Sequence, residues 1–217
     1  MGARSIPAFD GKLAGVVMKP VIKCTLLWVC VFLFTLIANA QSTNLLRNPS
    51  ADEGPNDWRV FGDATVEHTD DGNPRFVVRN MGYFLQDVIL PPGSAGKYAV
   101  LIGRVSSERI NADGSITGLP SLYGYMMEDA NPGGGRILAY LQGQQMTCYS
   151  KNENEWVEAW GIFQVPARSR VIRFFLNQAE RRGVPQNGSA ARFDDLGLYI
   201  FATEDEANAF VMGSQRQ

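Results

Sequence analysis

Few side chains in this chain of 217 residues have the types and spacing that catalysis needs. The one histidine, His68, sits in Glu67-His68-Thr69-Asp70 at the end of a β-prone run. Ser/His/Asp chemistry would rest on it alone, and a lone histidine at a strand end reads as a surface residue. Cys148 lies far from it in sequence; a thiol without a basic neighbour stays protonated and inert, so it reads as a buried structural residue. The His-x-x-x-His and Cys-x-x-Cys spacings of zinc sites are absent. Gly133-Gly134-Gly135 lacks the Lys-Ser/Thr and the following helix of a phosphate loop. The acid pairs Glu128/Asp129 and Glu155/Glu158 would suit glycoside hydrolysis only if two carboxyls met across a cleft. Acids at strand ends and in loops are ordinarily solvated, so no catalytic residue is expected.

Binding chemistry is better represented. Sugars present flat apolar faces ringed by hydroxyls; aromatic rings stack on the faces, and Asn, Gln, Asp and Arg take the hydroxyls. In Trp156–Val165, strand alternation puts Val157, Phe163 and Val165 on one face and Trp160 and Ile162 on the other. Neither face is plainly polar, so a second apolar surface is either covered by loops or left open to a partner. Tyr123 and Tyr125 share one face of their strand, and Tyr140 lies on another. Trp160, Tyr123, Tyr125 and Arg104 are the candidate ligand-binding residues, with Asn177, Gln178 and Gln142 as further polar contacts. For each aromatic the competing role is plain core packing.

The elements that must position these residues lie downstream of a leader. Thr25–Ala38 is an apolar run of 14 residues preceded by Lys19 and Lys23, and Ala38-Asn39-Ala40 offers small residues at a signal-peptidase site. The run is shorter than the ~20 residues a membrane span needs. Residues 1–40 are therefore read as a signal peptide, starting at Met1 or Met18, and the remainder as secreted, periplasmic or extracellular. The first 40 residues carry Arg4, Lys12, Lys19, Lys23 and Asp10, so removing them takes the net charge from −2 to −5. That balance argues against nonspecific nucleic-acid binding, which needs clustered cations at phosphates. Cys24 and Cys30 leave with the leader, and the single remaining cysteine excludes an internal disulfide.

Runs rich in aromatic and β-branched residues occur at 58–68, 76–79, 83–90, 98–105, 121–128, 137–142, 145–149, 156–165, 170–176 and 192–201. Pro/Gly/Asn clusters such as Asp71-Gly72-Asn73-Pro74 and Pro91-Pro92-Gly93 separate several of them. The pair 156–165 and 170–176 reads as the last hairpin before the closing strand. About ten short strands at this spacing predict an all-β, two-sheet sandwich over 41–203. The tail, 204–217, is helical over Glu204–Met212 or frays. Two long loops, 108–120 and 177–190, are places where function tends to sit; the second holds Arg181-Arg182 and the sequon Asn187-Gly188-Ser189.

Asn44-Leu45-Leu46-Arg47-Asn48-Pro49-Ser50-Ala51-Asp52-Glu53-Gly54, with Trp58, resembles the opening strand of galactose-binding-like jelly rolls, among them many secreted carbohydrate-binding modules. Gln86–Pro91, Lys97–Val100 with Arg104, and Trp156–Pro166 resemble their middle strands, and Phe193-Asp194-Asp195-Leu196-Gly197-Leu198 their closing strand. The opening segment is also similar to the F-box-associated sugar-binding domain, whose closing segment fits less well. The resemblance implies a jelly-roll β-sandwich and a noncatalytic module that binds a polysaccharide or glycan. A structural or protein-interaction jelly roll, with an extracellular protein as partner, is the alternative. It also implies a structural calcium ion between the two terminal strands, with Asp52 and Asp194 as its carboxylate ligands; solvated carboxylates are the competing reading. Asp stands at position 52 where Glu is more usual in that family, and Ala51 where an aromatic is common.

Overall fold

The computed structural model describes residues 43–70, 72–110, 116–129, 135–148, 150, 152–179 and 189–215, without the side chains of 109, 110, 116, 117 and 144. They belong to the second of the two units into which the chain divides, Ser42–Gln217. The leader expected over 1–40, Arg181-Arg182 and Asn187 lie outside the described residues.

Twelve strands are described: β1 (Arg59–Phe61), β2 (Ala64–His68), β3 (Pro74–Val78), β4 (Tyr83–Ile89), β5 (Tyr98–Ser107), β6 (Arg109–Ile110), β7 (Ile116–Thr117), β8 (Pro120–Met127), β9 (Ile137–Leu141), β10 (Val157–Gln164), β11 (Val171–Gln178) and β12 (Ala191–Phe201). A front sheet runs β1-β4-β11-β8-β9 and a back sheet β10-β5-β12-β3-β2, while β6 and β7 make a separate small hairpin. Every pairing is antiparallel. This is the jelly-roll β-sandwich expected from the strand pattern and the terminal motifs.

Period-two alternation sends Phe84 and Val88 of β4, Phe174 and Leu176 of β11, and Phe76 and Phe193 of β3 and β12 into one core between the sheets. Phe76, Phe84, Phe174 and Phe193 are wholly buried, and truncating such a ring to alanine costs about 3–5 kcal/mol. The opening segment is laced to the closing strand. Asn44 donates to the Leu196 carbonyl and accepts from the Leu198 amide, and the Leu45 amide donates to the Leu198 carbonyl. Gln86 clasps both backbone groups of Arg47, and the Trp58 indole donates to the Asn48 carbonyl.

Three local expectations are corrected. The single run 58–68 is two strands, β1 in the front sheet and β2 in the back, because Gly62 takes a positive φ of 60° and turns the chain across. The strand expected at 145–149 is instead a 3₁₀ turn at Gln144–Met146. Strands β10 and β11 are not a hairpin: they lie in different sheets, the first against β5 and the second between β4 and β8. Strand β11 thereby gains a partner on each edge, whereas β10 lies at the edge of its sheet against β5.

The tail is a helix, α1 (Glu204–Ser214). Thr203 accepts from the Glu206 amide while the Glu206 carboxylate accepts from the Thr203 amide, a reciprocal cap that satisfies two otherwise unpaired donors. Ala207 and Val211 pack with Val100 and Ile102 on the outside of the back sheet, flanked by Tyr98, Trp160, Ile162, Tyr199, Phe201 and Phe210. The second apolar surface foreseen in the sequence is thus covered, and the cover is this helix.

Candidate functional site

The outer face of the front sheet carries a ladder of rings. Register sets Phe61 opposite Tyr83, Phe175 opposite Tyr123, and Tyr125 opposite Tyr140. Ring centroids lie 4.6 Å apart for Phe61–Tyr83, 5.8 Å for Tyr83–Phe175 and 4.7 Å for Phe175–Tyr123. Tyr123–Tyr125 is 5.1 Å and Tyr125–Tyr140 is 5.3 Å. All five front strands contribute, so the ladder crosses the sheet at right angles to the strands over roughly 19 Å, four interstrand spacings. Tyr140 is 64% exposed and Phe61 40%. The Tyr123 hydroxyl donates to that of Tyr125, and burial followed by this hydrogen bond pushes the Tyr123 hydroxyl well above the usual phenol range. Along one flank, Asp87 receives a two-point bond from Arg173 at 2.7 and 3.0 Å and a third from Arg59 at 2.6 Å.

A groove of about 680 Å³ opens at the Tyr123 end, lined by Tyr123, Tyr125, Gln142, Asn177, Gln178 and Met81, among others. The amide oxygen of Asn177 is buried without a partner among the described residues, an acceptor that a ligand hydroxyl would satisfy. Met81 forms the rim from a turn in which Asn80 and Met81 both take positive φ, 45° and 65°. That conformation costs a side-chain-bearing residue about 1–2 kcal/mol. Between the two tyrosines, Gly124 is required by space: a Cβ there would stand 2.6 Å from the Arg173 carbonyl oxygen.

Of the four residues expected to bind ligand, the structure brings Tyr123 and Tyr125 together and does not add the other two. Trp160 and Arg104 face out from the back sheet, Trp160 half-buried against the cluster under α1 and Arg104 51% exposed in its side chain. Gln142, Asn177 and Gln178 join the tyrosines. Phe61, Tyr83, Phe175 and Met81 were missed. For Phe175 the signal was present, because alternation through Phe174-Phe175-Leu176 must send one ring outward. For Phe61 it was hidden by the merged strand.

Asp52 and Asp194 do approach each other. Asp194 is half-buried, and burial, joined by the charges of Asp195 and Asp52, pushes its carboxyl upward against the pull of the Asp195 amide and Arg104. Among the described residues no group of three or more His, Cys, Asp or Glu is placed to hold a metal. Glu128 pairs with Arg168, Glu155 binds Ser150 and Asn152, and Glu158 accepts from Ser214. His68 is exposed at the end of β2. Cys148 is half-buried, and burial followed by the charge of Glu158 pushes its thiol up to about 11.

No protein-family model matches the chain, and no curated protein matches it by sequence. Solved structures do match. A cyclase from Fischerella sp. TAU superposes with a TM-score of 0.53 at 12% identity, covering 76% of this chain and 100% of that one. The CBM22-1 xylan-binding domain from Paenibacillus barcinonensis Xyn10C gives 0.49 at 15%, covering 75% and 97%. The enzymatically active domain of bacteriophage CBA120 tailspike protein 4 gives 0.49 at 14%, covering 73% of this chain but 21% of that one. At these identities the likeness concerns the fold: the chain is a jelly-roll sandwich of the type seen in the cyclase.

Proposed function

We propose that this protein is an exported, noncatalytic carbohydrate-binding module that holds a polysaccharide or glycan across the outer face of its front sheet. The observation that carries this reading is the uncovered ladder Phe61–Tyr83–Phe175–Tyr123–Tyr125–Tyr140, with amides and hydroxyls gathered at one end. Rings stack on the apolar faces of successive sugars, while Asn177, Gln178, Gln142 and the Tyr125 hydroxyl exchange hydrogen bonds with the hydroxyls. The span of roughly 19 Å suits several sugar units in a row. Export rests on the leader read in residues 1–40; no helix among the described residues is long and apolar enough to cross a membrane.

A structural calcium belongs to the same proposal. The repulsion between Asp52 and half-buried Asp194 makes their meeting point electronegative, as a hard cation requires. Two carboxylates are short of six to eight oxygens, so backbone carbonyls and water would supply the rest. Asp52 and Asp194 would hold the ion, and its role would be to tie the opening segment to the closing strand.

The test is binding of the protein to a panel of polysaccharides and glycans, with Tyr125→Ala as the probe. Losing one stacked ring should cost about 2 kcal/mol, roughly 30-fold in affinity, with the fold intact. Failure of the folded protein to bind any glycan would defeat the proposal. It would favour the second reading, a protein-interaction domain, for which exposed Ile89 (77%) and Met81 (54%) at the edges of the same face speak.

A further inference from the structure

On the opposite side of the molecule a cleft of about 870 Å³ opens between the last turns of α1 and strands β5, β10 and β12. Its size falls within the roughly 300–1,000 Å³ of ordinary small-molecule sites. Strand register lays Glu158, Arg104 and Asp194 in one row across the three strands, with Asp195 the next residue along β12. Arg104 is the centre of this row. Its guanidinium lies 5.5 Å from the Trp156 ring centroid, and its Nη1 is 3.5 Å from Asp195 Oδ2. The indole attracts the guanidinium, while the long contact to Asp195 leaves its donors largely unspent among the described residues; the Arg104 and Asp195 side chains are about half exposed. Across the cleft, Ser214 at the end of α1 donates to Glu158 at 3.1 Å. The Tyr199 and Phe210 rings, 4.7 Å apart, form an apolar wall.

Paired acceptors, a forked donor and an aromatic wall converge here within the volume of one or a few sugar rings. Vicinal hydroxyls are met two at a time by a carboxylate or a guanidinium, and the apolar face of a pyranose is met by a ring. The front ladder runs from one edge of its sheet to the other, whereas α1 walls this cleft on one side. A polymer can lie along the first; the second is a compact cleft with room for one or a few sugar rings. We propose that the back-sheet cleft is a second carbohydrate site that takes one or a few sugar units, so that the domain is bivalent, with one binding face on each sheet. This extends the carbohydrate reading of the front sheet and rests on it for the class of ligand.

The experiment is an NMR titration of the protein with the methyl glycosides of glucose, galactose, mannose and xylose, following the Trp156 indole N–H and the Arg104 Nε–H. At least one glycoside should shift both signals saturably. Arg104→Ala should weaken that response at least tenfold. Ala209→Trp, on an exposed helix position lining the cleft, should do the same by filling it. Both variants should leave Tyr125-dependent polysaccharide binding unchanged. Absence of any shift at Trp156 and Arg104, in protein that still binds polysaccharide through Tyr125, would overturn the second site alone. Shifts that survive both variants would overturn it too. Saturable shifts in a protein whose front face binds nothing would instead overturn the front-sheet reading and leave this one standing.

Discussion

The two sheets of this sandwich both turn apolar and aromatic residues outward, and among the described residues only the back one is covered. On the back, Val100, Ile102, Trp160, Ile162 and Tyr199 lie beneath or beside α1. On the front, six rings cross the whole sheet with no described element laid over them. The composition differs to match. The covered face has Val100, Ile102, Ala207 and Val211 at its centre and the rings of Tyr98, Trp160, Tyr199, Phe201 and Phe210 around them; the front one is mainly Tyr and Phe beside Asn, Gln and an Arg–Asp bridge. Tyrosine serves a wet surface because its ring packs while its hydroxyl stays hydrated. Leaving such area in water forgoes roughly 25 cal/mol for each Å². Among the described residues a helix lies on the back face and no element on the front, which is why the front face is the one proposed to hold a polymer.

A pair of truncations tests this contrast most severely. Trp160→Ala should destabilise the fold by about 3 kcal/mol, toward the lower end for a buried ring because Trp160 is half-buried, and leave polysaccharide affinity unchanged. Tyr125→Ala should do the reverse. Chemical denaturation and binding isotherms on both proteins decide the matter. A well-folded Trp160→Ala that no longer binds polysaccharide would move the platform to the back sheet, where the sequence pattern first suggested it.

Next in size is the proposed cation. Adding calcium to chelator-treated protein should raise stability by about 2.7 kcal/mol at a hundredfold excess over Kd. Asp194→Asn should abolish the increment. Thermal melts in chelator that match those in calcium would leave Asp52 and Asp194 as plain terminal carboxylates and remove the ion from the account.

Much of the frame was legible in the sequence because alternation and terminal motifs are local signals. Phe193-Asp194-Asp195-Leu196-Gly197-Leu198 and Asn44–Gly54 marked the two ends, and the structure laces them together through Asn44. The facing of Trp160 and Ile162 opposite Val157 and Phe163 was also readable. What alternation cannot say is which sheet a strand joins. Strands β10 and β11 looked like neighbours because four residues separate their apolar runs, yet β10 pairs with β5 in the back sheet and β11 sits between β4 and β8 in the front one. That choice, made by long-range pairing, put Trp160 behind and Phe175 in front, and so dispersed a site that sequence had drawn as one. The tail was likewise ambiguous: its cap at Thr203 and Glu206 is local, but the stripe of Ala207, Phe210 and Val211 acquires meaning only against Val100 and Ile102.

Met81 sharpens the contrast on the front face alone. Met81→Gly relieves a positive-φ side chain and should stabilise the protein by about 1 kcal/mol. It also removes the rim of the groove, so glycan affinity should fall several-fold. Stability gained with no loss of binding would make that strained methionine irrelevant to the site.

The smallest expected effect concerns Glu158, at the wall of the back-sheet cleft. Burial pushes its carboxyl above the ordinary range, opposed by the hydrogen bond from Ser214. The folded protein therefore holds this proton more tightly than the unfolded chain does. The stability linked to it is complete below about pH 4.3, the ordinary glutamate value, and is lost as pH rises through the raised one. Glu158→Gln is neutral throughout and still offers Ser214 an acceptor. It should match the parent in acid and be slightly the more stable at neutral pH, the gap being small because solvent screens a group this open. Denaturation midpoints at pH 4 and pH 7 measure it. A variant less stable than the parent at pH 7 would mean that the charged Glu158–Ser214 contact outweighs desolvation, and that α1 is held to the back sheet by charge as well as by its apolar stripe.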